Sequence, residues 1–242
     1  MSAWPNQSAE SDCKVLETFL NECPKFHRYD GVLTNWGIHP ETLRFLYTML
    51  TPEMSTLETG CGYSTVVFSI AGTRHTCITP DAEEATRVQR YCAELGLGKN
   101  ITFLIGSSDD VLKTHDSIPG ELDVIIIDGA HRFPFPILDW HYTANRLKPG
   151  GVVAIDDFMM PSVHVLYQFL TMEEEWQLVR ALHNTAFFRK LREPDSSGDW
   201  QHQKINKAYQ PTQRQSMTQL VIDKIMQLRF AKQLRRNFHG RG

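Results

Sequence analysis

The 242-residue sequence predicts a doubly wound α/β fold: a mostly parallel, seven-stranded sheet between helices, with helical additions at both termini. Three observations predict it. Strand-like and helix-like segments alternate through the middle of the chain. Two of the strand-like runs, Leu122–Asp128 and Val152–Asp157, are apolar and β-branched, as strands buried on both faces should be. A glycine turn, Gly60-Cys61-Gly62, follows the first strand and precedes a helix start.

Taken in order, probable helices at Ser11–Leu20 and Pro40–Met49 are joined by a loop carrying Trp36. Thr56–Glu58 ends the first strand and Thr73–Thr79 forms the second. Asp81–Leu95 reads as a helix, entered at Pro80-Asp81 and closed by Gly96. Asn100–Ile105 is the third strand and Leu122–Asp128 the fourth. Pro134–Leu147 reads as a helix closed by Lys148-Pro149-Gly150-Gly151, and Val152–Asp157 is the fifth strand. After Val163–Leu170, Trp176–Arg180 and Thr185–Leu191 look like a closing pair of strands. Glu193–Trp200 is a polar loop, and Met217–Asn237 carries apolar residues at helical spacing with a basic opposite face. The expected organisation is a helical cap over 1–50, a cofactor-binding core over 51–192 and a basic helical extension over 193–242.

Composition narrows the function. A hydrophobic fraction of 41% with 22% charged residues is that of a soluble globular protein, and the net charge of −3 gives no electrostatic case for nucleic acid. From Gln203 to Gly242, however, there are nine Lys or Arg residues and one acid, Asp223. The basic helix there packs on the body, on a second copy in a homo-oligomer, or on a membrane surface. Five cysteines without a CxxC pair and without a signal peptide point to reduced thiols in a cytoplasmic protein.

The turn at 57–65, Leu-Glu-Thr-Gly-Cys-Gly-Tyr-Ser-Thr, discriminates between cofactors. A dinucleotide fingerprint needs a third glycine where Thr65 stands, and Glu58 would repel a pyrophosphate while suiting a cationic ligand. Polar residues also collect at the strand ends, where ligands of such sheets bind: Glu58, Thr79, Asp109, Asp128 and Asp156.

From Leu57 to Phe158 these motifs resemble the class I S-adenosylmethionine-dependent methyltransferases, with their Rossmann-like fold, most closely the catechol-type and related metal-dependent small-molecule O-methyltransferases. The resemblance implies methyl transfer from S-adenosylmethionine to a small-molecule acceptor, at a hydroxyl. It places Glu58, Gly60 and Gly62 in the cofactor turn, with Glu58 near the cationic methionine end. Tyr63 and Ser64 fall along the methionine part, and Ser108 and Asp109 at adenine. Asp128, Asp156 and Asp157 would hold a divalent metal, Mg²⁺ by their oxygen chemistry; the other reading leaves Asp128 and Asp156 bonding nearby backbone and Asp157 in solvent. His131 stands where the catechol-type enzymes carry a lysine, and is either the base for the acceptor hydroxyl or a histidine satisfying a loop carbonyl. The usual ribose-binding acid is absent at the end of the second strand; Asp81 or Thr79 would substitute. Trp36, Phe133, Phe135 and Trp140 could line an acceptor pocket. The rival function is a cofactor-binding scaffold that has kept the fold and lost catalysis.

Overall fold

The computed structural model describes residues 10–194 and 201–208. The chain divides into two units, residues 1–198 and 199–242. In the second, the described element is a short helix, Lys204–Ala208; the expected helix at Met217–Asn237 lies outside the described residues.

The first unit holds the sheet. Its strands are β3 (Ser55–Thr59), β4 (Arg74–Thr79), β5 (Ile101–Ile105), β6 (Leu122–Ile127), β7 (Leu147–Ile155), β8 (Trp176–Leu182) and β9 (Thr185–Lys190), after a small hairpin of β1 (His27–Tyr29) and β2 (Val32–Thr34). The order is β5-β4-β3-β6-β7-β9-β8, with β9 antiparallel to both neighbours and the other pairs parallel. The strand sequences explain this placement. All five residues of β3 are buried, and the β-branched run of β6 alternates its side chains between two cores. Val124 and Ile126 join one core with Val66 and Phe68; Ile125 and Ile127 join the other with Val153 and Ile155.

Helices α1 (Glu10–Glu22), α2 (Pro40–Thr48), α3 (Tyr63–Ile70) and α4 (Ala82–Glu94) belong to the first core. Helices α5 (Ser108–Thr114), α6 (Phe135–Ala144) and α7 (Pro161–Met172) belong to the second. Leu16, Phe19, Leu43 and Leu46 are fully buried there, so the first helices are built into the core. Capping explains the ends of α4. The Asp81 carboxylate accepts from the Glu84 amide at 2.9 Å, and Glu83 and Glu84 complement the helix dipole. At the other end Gly96 (φ +73°) permits the bonds Gly96 N–H to Ala93 and Leu97 N–H to Cys92 that satisfy the last carbonyls.

Several elements differ from the sequence expectation, among them the unexpected helix α5. Helix α6 stops at Ala144 instead of reaching Leu147, and Lys148-Pro149-Gly150-Gly151 lies inside β7 instead of closing the helix. Leu147 pairs with Leu122, and a register shift before Val124 absorbs the Pro-Gly-Gly irregularity. The hairpin β1–β2 was expected as loop. Its turn, Asp30-Gly31, has positive φ at both residues, the geometry that matches the twist of a two-residue hairpin. Among the described residues no helix is long and apolar enough to cross a membrane.

Candidate active site

The strand order reverses between β4 and β6, on either side of β3, and the crevice outside their carboxyl ends is where a ligand of such a sheet binds. A cavity of about 1060 Å³ opens there. Its floor is the turn after β3. Gly60 has φ +99°, and a Cβ on it would lie 2.2 Å from the Asp128 carbonyl oxygen, so only glycine lets the loops after β3 and β6 touch. Gly62 N-caps α3; its amide donates to the Thr65 hydroxyl at 2.9 Å.

The structure turns three of the expected cofactor residues away from this cavity. Glu58 is 1% exposed and faces the sheet interior. It accepts from the hydroxyls of Ser64 (2.5 Å) and Thr65 and pairs with His75 Nε2 at 3.0 Å. Ser64 is thereby buried as well. Tyr63 donates to the Pro24 carbonyl at 2.8 Å and packs edge-on against Phe19 and Phe26. For Tyr63 and Ser64 the reason is that α3 is buried on every side, so its first-turn side chains belong to the core; Glu58 lies in the fully buried β3 and is held by α3's hydroxyls and His75. What these residues offer the cavity is the shape of the turn, together with the charge of Glu58 behind it.

The expected ribose and adenine positions fare differently. Thr79, Asp81 and Ser108 line the cavity, whereas Asp109 does not. One Asp109 oxygen accepts from the Ser107 hydroxyl at 2.5 Å, which holds its pKa below the usual range, and Lys113 lies 3.8 Å from the other. Asp81 caps α4 with one oxygen and keeps the other 3.7 Å from Arg87. Among the cavity residues that escaped the sequence reading are Glu84, one turn beyond Asp81, and His27 of the hairpin. They form an ion pair at 2.6 Å across the wall. Burial works against charge on His27, but Glu84 outweighs it and the histidine pKa is raised. Detecting this pair from sequence required the hairpin that brings His27 over α4.

On the other wall stand Asp128, Asp156, Asp157 and His131. His131 Nε2 lies 3.5 Å from Asp128 and 3.7 Å from Asp157. The Asp128 carboxylate beside it raises the His131 pKa against the opposing effect of burial. Burial pushes Asp128 itself up to about 7, with Asp156 and Glu58 adding to the shift and His131 opposing it. Asp156 is also raised, chiefly by burial, although the Thr185 hydroxyl donates to it. Asp157 sits at φ +50°, and the Asn184 amide donates to it at 3.4 Å. Backbone held in that sparsely populated region is frequent at functional sites.

As a metal site this wall is incomplete. Asp128, Asp156 and Asp157 share it, but their oxygens do not form one compact ligand group. Among the described residues the compact group of three is elsewhere, at His39, Glu41 and His183. The imidazole of His131 stands between Asp128 and Asp157 and can balance their charge. Of the aromatics proposed for an acceptor pocket, Trp36 and Phe135 line the cavity with Met160. Phe133 is 61% exposed outside it, and Trp140 packs on Phe169 and Trp176.

Residues 57–158 match the family model described as a methyltransferase domain. The same fold occurs in the O-methyltransferase TomG of Streptomyces achromogenes, involved in tomaymycin synthesis and solved in complex with SAM. That comparison gives 16% identity, 77% of this chain, 92% of the other and a TM-score of 0.56. An O-methyltransferase from Bacillus cereus in complex with SAH gives 13% identity, coverages of 78% and 94%, and a TM-score of 0.56. The cofactor-bound protein Rv0187 from MTB gives 11%, 78% and 94%, and 0.58. No curated protein sequence matches the chain. Residues 57–158 thus match a methyltransferase-domain model, and the sheet that contains them has the fold of these solved structures.

Proposed function

We propose that the enzyme methylates a hydroxyl group of a small, partly aromatic molecule, with His131 as the base. The observation that carries this is His131 on the cavity wall, flanked by two carboxylates that raise its basicity. The floor of the cavity is the turn at Gly60, where the loops after β3 and β6 meet more closely than any side chain would allow. It exceeds the usual range for one small ligand, leaving room for an acceptor beside the cofactor.

S-adenosylmethionine supplies an electrophilic methyl group on a sulfonium, which leaves as a neutral thioether. The turn at Gly60–Gly62 would hold its methionine end and Thr79, Asp81 and Glu84 the ribose, with Ser107 and Ser108 at adenine. His131 would accept the acceptor's hydroxyl proton as oxygen forms the new bond to carbon and the carbon–sulfur bond breaks. Asp128 and Asp157 stabilise the resulting imidazolium. Trp36, Phe135 and Met160 offer apolar surface to the body of the acceptor.

A divalent metal at Asp128, Asp156 and Asp157 is the competing account of how the hydroxyl is activated, and the spread of those oxygens favours His131. The test is methyl incorporation from labelled S-adenosylmethionine across a panel of phenols and hydroxylated heterocycles, in EDTA and in Mg²⁺. The proposal expects turnover of a phenolic acceptor in EDTA, and a His131→Ala variant that loses about 100-fold in kcat while binding S-adenosylhomocysteine as before. Turnover only in Mg²⁺ would transfer the role to the metal. Cofactor binding with no turnover of any acceptor would return the scaffold reading.

A further inference from the structure

We propose that His39, Glu41 and His183 bind a divalent transition ion of the Zn²⁺ type at the exposed edge of the cavity, separate from the acids around His131. Two imidazoles and one carboxylate are a donor set for Zn²⁺ and its neighbours, whereas Mg²⁺ prefers oxygen alone. One ligand atom from each residue lies within 4.8 Å of the other two. The rings of His39 and His183 stack with centroids 3.4 Å apart, and His183 Nε2 is 3.0 Å from Glu41. Nitrogens bound to a tetrahedral Zn²⁺ at about 2.0–2.1 Å stand roughly 3.3 Å apart. To coordinate one ion the two stacked rings must turn out of register so that their in-plane nitrogen lone pairs converge, a motion open to these exposed side chains.

The local backbone argues that the arrangement is built. His39 is the N-cap of α2, fixed by Pro40 behind it, and its Nδ1 accepts the Glu41 amide at 3.2 Å. Coordination exchanges that one long hydrogen bond for a metal–nitrogen bond. His183 opens the two-residue turn between β8 and β9 at φ +51°, a position that favours glycine or asparagine. A histidine held there brings its ring onto residues more than 140 positions earlier in the chain.

The site has a consequence for catalysis. The two residues after His183 are Asn184 and Thr185, whose side chains donate to Asp157 and Asp156. An ion at His183 would tie the β8–β9 turn to α2 and so fix the partners of both acids. Three protein ligands leave one position for water.

Titration of the full chain with Co²⁺, followed by its visible absorption and by displacement with Zn²⁺, tests this. His39→Asn keeps a helix cap and His183→Asn keeps a residue suited to positive φ, so neither variant depends on a refolded turn. Wild type should show a single tight Co²⁺ site that Zn²⁺ displaces, and an upward shift in Tm with Zn²⁺. Each variant should lose about tenfold or more in affinity and lose the Tm shift, while Asp156→Asn keeps both. An unchanged Co²⁺ spectrum and affinity in the two histidine variants would overturn the proposal. So would the absence of any Co²⁺ binding to wild type, or its loss in Asp156→Asn alone.

Discussion

Replacing Asp128 with Asn tests whether this site stores electrostatic strain. Burial raises the Asp128 pKa from 3.8 to about 7, so the native state disfavours an ionised group that the unfolded chain accommodates freely. The sign follows from linkage: stability is full below the unfolded pKa and is lost as pH rises through the folded one. At about 1.36 kcal/mol per unit, a shift of roughly three units sets an upper bound of about 4 kcal/mol at pH 8. With 26% of the side chain exposed, solvent screening reduces this to roughly 2–3 kcal/mol. At pH 5 the native carboxyl is mostly protonated, and the same arithmetic leaves about 1–2 kcal/mol at most. Asn has no such pH dependence. Urea unfolding should therefore find Asp128→Asn more stable than wild type at pH 8, and by less at pH 5. The same variant removes the carboxylate that raises His131, so kcat falls and the acidic limb of its pH profile moves down. An Asn variant that is less stable at pH 8, or whose difference from wild type is equal at the two pH values, would refute the reasoning.

Other predictions concern the scaffold of the site. Gly60→Ala combines a left-handed backbone with a Cβ 2.2 Å from the Asp128 carbonyl, and should destabilise the protein by about 2–4 kcal/mol. Calorimetry should also show its affinity for S-adenosylhomocysteine falling by at least about tenfold, because the two loops must separate. Lys190 is fully buried and donates to the carbonyls of Ala144 (3.0 Å) and Leu147 (2.8 Å), closing the end of α6, and to Glu193. Lys190→Met leaves those carbonyls without their donor and should cost about 2–4 kcal/mol by thermal or urea unfolding. Its KM for the cofactor should be unchanged, since Lys190 does not line the cavity.

The sheet was legible because parallel strands buried on both faces leave little freedom in sequence: Val124-Ile125-Ile126-Ile127 and Val152–Ile155 admit few other readings. The Asp81 cap and Gly96 marked α4 for the same local reasons that fix its ends. Lys148–Gly151 misled because Pro-Gly-Gly is a turn signal on its own, and only the pairing of Leu147 with Leu122 makes it strand. At the site, the family resemblance supplied Gly60, Ser108, His131 and Asp157, and the strand-end rule found Thr79, Asp128 and Asp156, which need only be near the crevice. It could not tell which way a side chain turns. Glu58, Tyr63 and Ser64 sit at the right positions in the chain yet face the core, because β3 and α3 are both buried along their whole length. His27 with Glu84, and His39 with Glu41 and His183, were illegible for another reason. Each joins residues far apart in sequence: Asp30-Gly31 marks a hairpin locally, but no local pattern places that hairpin over α4 or brings the His183 turn to α2.

The most direct test of the central claim is calorimetric titration of the full chain with S-adenosylhomocysteine, with NAD as the control. A cavity floored by Gly60 and closed by Thr79, Asp81 and Ser108 predicts saturable one-to-one binding of S-adenosylhomocysteine and no heat from NAD. Binding of NAD, or of neither ligand, would contradict the assignment of this crevice to the methyl donor.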